Sequence, residues 1–166
     1  MKYKLFIYTT LILAIVAGTA PLYRTVAAQA GYSGEELDLS SAQRVLDAAL
    51  AKAAEQDTKM NVTILDAGGH LKAFARMDGA YLGSIDVSMR KAKTSILFQM
   101  PSGTLGSVSQ PGGDVWGIEH SNDGLITFAG GFPLTNSDGV VVGAIGVSGS
   151  SVANDVAVAE AGVAAL

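Results

Sequence analysis

Between Ser40 and Gln56 the apolar residues Ala42, Val45, Leu46, Ala49, Leu50 and Ala53 recur at three- and four-residue intervals, the spacing of one helix face. Ser40 followed by Gln43 has the form of a capping box, which predicts a helix from Ser40 to about Gln56. The period then changes to two. Residues 61–65 and 71–77 predict a hairpin of strands across Asp66-Ala67-Gly68-Gly69, with Leu71, Ala73, Ala75 and Met77 on one face and Lys72, Phe74 and Arg76 on the other. Helical spacing returns over 84–99, with Ile85, Met89, Ala92 and Ile96 as its buried face and Pro101 and Gly103 as its stop. Residues 101–124 are rich in glycine and polar residues; an irregular connection of roughly twenty residues in a small domain is uncommon and often functional. Strands are predicted at 125–129 and 132–135, then a turn at Asn136-Ser137-Asp138-Gly139. The nearly continuous apolar run 140–147 predicts a central strand, and a last helix from about Ser151 carries Val152, Val156, Ala159 and Val163 along one side. The order predicts an α+β domain, an antiparallel sheet of about five strands with helices packed on it.

The N-terminal region changes the charge balance. Lys2 and Lys4 precede an apolar run from Leu5 to Ala17, and small residues follow up to Ala28-Gln29-Ala30, the order of regions in a secretory signal peptide. We therefore expect residues 1–30 to be a signal, with cleavage after Ala30 or, as an alternative, Ala20. Residues 31–38 read as an acidic extension and 39–166 as the domain. The protein is expected to be periplasmic or secreted, with no stable membrane insertion after cleavage. Three of the eleven basic residues (Lys2, Lys4, Arg24) and none of the fifteen acidic ones lie in the first thirty, which leaves eight against fifteen, a net charge of −7 on 136 residues. That opposes nucleic-acid binding and provides no polybasic membrane patch. The absence of cysteine removes disulfides and thiolate metal sites.

The segments DAGGHLKAFARMDGA, RKAKTS, WGIEHSNDG, FAGGFPL and GVVVGAIGVSGSSVANDVAVAEAG, in this order, resemble the GlcG/HbpS family of haem-degrading or haem-binding domains. A related domain ends some corrinoid adenosyltransferases. The likeness runs from about residue 39 to the end. It implies a profilin-like or roadblock-like fold in a symmetric homo-oligomer, with octamers among relatives, and a haem or tetrapyrrole ligand that is stored, sensed or degraded. Other members accompany glycolate or alcohol oxidation, which implies as an alternative the binding or conversion of a small hydroxy or oxo acid. A non-catalytic assembly module is the third reading, with Phe98, Phe128 and Phe132 for core or interface.

Candidate chemistry follows from donor types. A haem needs an axial donor, apolar walls and cations for its propionates. The only histidines, His70 and His120, are the candidate iron ligands, with Trp116 and Glu119 beside His120, and Tyr81 and Met100 as alternative donors. His70 is equally a polar turn residue. Family members that use a histidine of the first helix have no counterpart here, since none lies between Tyr32 and Gln56. For an acid ligand, Arg76 would hold the carboxylate and His70, Asp78 or Glu119 would move protons; the alternative for Arg76 is a same-face salt bridge to Asp78. Lys91 and Lys93 read as a solvated helix face. GAIGVSGSS lacks both the dinucleotide and nucleophile-elbow spacings; its glycines serve close packing, or its amides an anion. Whether the protein is an enzyme stays open at this point.

Overall fold

The structure, a computed structural model, describes residues 36–166, so the expected signal and residues 31–35 lie outside the described residues. The first helix, α1 (Leu39–Glu55), buries the small and branched residues Ala42, Val45, Leu46, Ala49 and Ala53. Its cap is Asp38 and not Ser40. The Asp38 carboxylate accepts the Ser41 amide at 2.7 Å and the Ser40 hydroxyl at 2.8 Å. The backbone bond first, and the hydroxyl second, hold its pKa below the usual carboxylate value. Leu37 just before it is 2 % exposed and shares a cluster with Ala42, so an apolar contact brackets the cap. Leu37 and Asp38 are therefore integral to the fold.

Strands β1 (Asn61–Asp66) and β2 (Leu71–Arg76) form the expected hairpin. Gly69, at φ 79°, allows the turn, and the Asp66 side chain accepts the His70 amide at 2.9 Å. Strands β3 (Gly131–Thr135) and β4 (Val141–Ser148) complete a four-stranded antiparallel sheet in the order β2-β1-β4-β3. The central strands β1 and β4 are buried almost throughout, as their apolar runs require. Helices α1 and α4 (Val152–Val163) cover one face, where Val62, Ile64, Ile145 and Val147 meet Val45 and Val158. Each such side chain contributes about 1.5–3 kcal/mol on burial.

Helix α2 (Gly83–Phe98) covers the other face. Of its expected apolar face only Ala92 and Ile96 are fully buried; Ile85 and Met89 are half-buried, and Ser88, Lys91, Thr94 and Ser95 take the inner positions. The contact with the sheet is close and partly polar. Thr63 and Ser88 share a hydrogen bond of 2.9 Å, and a Cβ on Gly146 would come within 2.0 Å of the Ser88 carbonyl oxygen. The α2 backbone packs onto the sheet here because Gly146 has no side chain.

Two further expectations are corrected. The 101–124 connection is not wholly irregular: it holds a short helix, α3 (Ser102–Val108), and a single 3-10 turn (Ile118–His120). Residues 125–129 form no strand, so the sheet has four strands and not five. The Ile126 amide bonds to the Thr94 hydroxyl at 3.1 Å, and the Phe128 carbonyl accepts from Ser102 at 2.8 Å. Gly106 lets the Thr127 carbonyl approach closer than any side chain would allow. Partners on α2 and α3 thus replace a neighbouring strand.

Lys91 is also corrected. It is fully buried rather than solvated. Its ammonium donates to Asp155 Oδ2 at 2.7 Å and to the Val147 carbonyl at 2.8 Å, and lies 4.7 Å from the centre of the Phe128 ring. Burial holds its pKa below the usual 10.5, against the opposing pull of Asp155. Between that lowered value and 10.5 the unfolded chain binds more protons, so this group's contribution to stability rises with pH through that window. Asp155→Ala leaves the ammonium buried without its charge partner and is expected to cost about 3–5 kcal/mol in urea unfolding. The double change Lys91→Met with Asp155→Leu is expected to cost less than Asp155→Ala alone; a larger loss would mean that the pair adds more than its burial costs.

Candidate functional site

A cleft of roughly 330 Å³ opens where the β1–β2 turn, the outer side of α2 and the 121–124 loop meet. Leu65, Leu71 and Met89 give it apolar walls, and Asp86, Arg90, Lys93 and Asp123 give it two charges of each sign. Its volume is at the lower end of small-molecule sites, about 300–1,000 Å³. Lys91 faces inward on α2, and the neighbouring positions Arg90 and Lys93 are carried to the outer side.

Both cations hold the loop. Arg90 Nε pairs with Asp86 at 2.7 Å, while its Nη1 donates to the carbonyls of Asp123 and Gly124. Lys93 donates to the Asn122 carbonyl at 2.6 Å and lies 4.0 Å from the Asp123 carboxylate. The loop backbone is turned to meet them. Asn122, Asp123 and Gly124 have φ of 53°, 59° and 94°, three successive left-handed residues. For the two non-glycine residues this conformation costs of order 1 kcal/mol each, so the cation contacts hold a strained strap.

The sequence-predicted residues are placed around this cleft unequally. His70 follows Gly69 in the turn; its ring is 81 % exposed, with Nδ1 3.4 Å from Asp66 Oδ1. His120 ends the 3-10 turn, is 86 % exposed, and has Nε2 4.0 Å from Glu119 Oε1. The other oxygen of Glu119, Oε2, is buried without a hydrogen-bond partner. Trp116 is exposed on the same connection. The turn of His70 and the connection of His120, Trp116 and Glu119 therefore flank one cleft, although none of these four side chains lines it.

Arg76 is at the opposite end of β2 from His70, about 20 Å away at strand spacing. It makes no ion pair with Asp78, contrary to the same-face expectation. The strand ends at Arg76, and the chain turns through residues 77–80, with the Ala80 amide bonded to the Met77 carbonyl. Tyr81 is exposed, and in the glycine-rich segment the Ser150 amide donates to Asp155, while the Ser151 hydroxyl accepts from Asn154 N–H as the cap of α4. Among the described residues no group of three metal-ligating side chains occurs. No helix among them is long and apolar enough to cross a membrane. Sequence reasoning missed Asp86, Arg90 and Lys93 as site residues; their i, i+4, i+7 spacing on one helix face was the available signal.

The chain is thus an α+β sheet-and-helix domain with an amphipathic cleft beside its first hairpin, and comparison gives its family. The model of the haem-degrading protein HbpS-like family matches residues 37–164, and the chain belongs to that family. It is 33 % identical over 125 residues to an uncharacterised 15.0 kDa protein from the dhaT-dhaS intergenic region of Citrobacter freundii, covering 75 % of this chain and 87 % of that one. It is 32 % identical over 131 residues to the corrinoid adenosyltransferase PduO of the same organism, covering 78 % of this chain but only 39 % of that protein. Among solved structures, a PduOC:haem complex superposes with a TM-score of 0.75 at 32 % identity, over 79 % of this chain and 95 % of that one.

His70→Ala and His120→Ala are each expected to change unfolding free energy by less than about 0.5 kcal/mol, because both rings are largely exposed. Urea denaturation checks this. Equal midpoints would make any ligand effect of these variants a contact effect.

Proposed function

We propose that the protein is an exported, homo-oligomeric binder of haem or a related tetrapyrrole. The observation that carries the reading is the cleft itself. Leu65, Leu71 and Met89 suit the edge of a macrocycle, Arg90 and Lys93 suit its propionates, and a histidine sits on each flanking segment. The volume suits part of a porphyrin, so an assembled neighbour would cover the remainder. Exposed Tyr81, Leu82 and Leu97 supply apolar surface for that assembly. The family match and the related haem complex support the same ligand class. Export rests on the pattern of residues 1–30.

Bound haem would supply the redox and oxygen chemistry of its iron; the chain's own residues would seat the ring, hold its acid groups and offer imidazole nitrogen to the metal. His120 and His70 are the proposed donors, with Trp116 and Glu119 shaping the His120 side. The acid-conversion reading is weaker, because Arg76 lies outside the cleft, at the far end of β2.

Haemin titration of residues 31–166, followed by absorbance, tests the reading. We expect a saturable, stoichiometric Soret shift whose affinity falls at least about tenfold, or about 1.4 kcal/mol, in His70→Ala or His120→Ala. Unchanged spectra in both variants would sink the ligand assignment. Light scattering of the same sample is expected to give a discrete multiple of the chain mass.

A further inference from the structure

We propose that Arg90 and Lys93 are the acid-binding pair of the cleft, and that a ligand carboxylate takes their donors from the 122–124 carbonyls and so releases the strap that follows His120. The inference rests on the tetrapyrrole reading and adds a ligand group, its anchors and a coupled movement.

Three observations carry it. First, the donors of the pair are spent on weak acceptors. Arg90 Nη1 and Lys93 Nζ meet the neutral carbonyls of Asn122, Asp123 and Gly124, and the one nearby strap carboxylate, Asp123, is 4.0 Å from Lys93 and fully exposed. A ligand carboxylate makes shorter, charge-assisted bonds and fits the guanidinium fork. Second, apart from the cations the strap is tied to its own neighbours in the chain, by Ser121 N–H to Ile118, Gly124 N–H to Ser121 and Leu125 N–H to Glu119. Residues 121–123 are exposed, and the left-handed backbone of Asn122 and Asp123 relaxes when the carbonyls are let go. Third, the pair lies in the cleft with the apolar walls, so a ligand whose hydrophobic body seats on Leu71 and Met89 brings its acid groups to these donors.

The consequence is a linked equilibrium. The closed strap withholds the cations, and the bound acid frees the segment beginning at His120 to approach the ligand's centre. By linkage, a change that loosens the strap and leaves both cations in place raises acid affinity in proportion to the open fraction. Asp86 retains Arg90 Nε at 2.7 Å and keeps the guanidinium in the cleft while its other nitrogens change partner.

The test uses metal-free protoporphyrin IX and its dimethyl ester, so that no iron–histidine bond enters. Fluorescence titration of the purified protein is expected to show the diacid bound at least about tenfold more tightly than the diester. Amide hydrogen exchange at residues 120–125 is expected to speed up with the diacid and stay unchanged with the diester. In Arg90→Gln with Lys93→Gln the preference should collapse and the strap exchange quickly without ligand, while Arg90→Lys, which keeps the charge, should retain part of the preference. Porphyrins bound within about twofold of each other, or strap exchange unaltered by the diacid, would overturn the proposal and leave haem binding standing. Failure of both porphyrins to bind would overturn this proposal, and failure of haemin as well would overturn the tetrapyrrole reading with it. Loss of the haemin spectrum in a histidine variant, with the diacid preference intact, would separate iron ligation from acid binding.

Discussion

One buried ion pair sets the rest of the structure in place. Removing an ammonium and a carboxylate from water costs several kcal/mol each, and Lys91 and Asp155 are almost completely removed. What makes this tolerable is full satisfaction: the ammonium has Asp155, the Val147 carbonyl and the Phe128 ring, and the second Asp155 oxygen has the Ser150 amide. These groups belong to α2, the end of β4, the start of α4 and the segment before β3. The pair therefore fixes how both helix layers sit on the sheet. A slide of α2 by one residue would strand a charge in the core, whereas a purely apolar contact would tolerate it. With Lys91 held inward, Arg90 and Lys93 must face the cleft.

The cleft is electrically balanced in its closed form, with two cations against Asp86 and Asp123. Such a site does not draw in anions over long range. It recognises them by exchange of hydrogen-bond partners at short range, which favours ligands with an apolar body to bring them there. The net negative charge of the chain points the same way.

Much of the fold was legible because it rests on local pattern. The α1 face, the β1–β2 hairpin and the apolar run of β4 each follow from spacing and turn residues within a few positions. The errors fell where distant partners outweighed local preference. Ser40 looked like a cap, but Asp38 is a stronger acceptor and Leu37 anchors it in the core. Residues 125–129 look like a strand, yet Thr94 and Ser102 hydroxyls take their backbone groups. Lys91 reads as solvated unless Asp155, far along the chain, is known to meet it. Of the cleft, sequence reasoning reached only the neighbouring turn and connection that carry His70 and His120, and not its lining, since the α2 face acquires meaning only when the hairpin turn and the 121–124 loop are brought against it.

The strand order has a consequence for the time at which this domain comes into being. Strand β1 lies between β2, its neighbour in the chain, and β4, close to the C-terminus: Asn61 is opposite Ser148. The hairpin can close as soon as it is synthesised, but its second edge and one apolar face wait for β4, α4 and Asp155. Long-range pairing of this kind carries a large loop-closure cost and slows folding. Until those later segments arrive, the half-made domain keeps an unpaired β1 edge and an uncovered apolar face, and only then can its sheet, its core and its buried charge pair be completed.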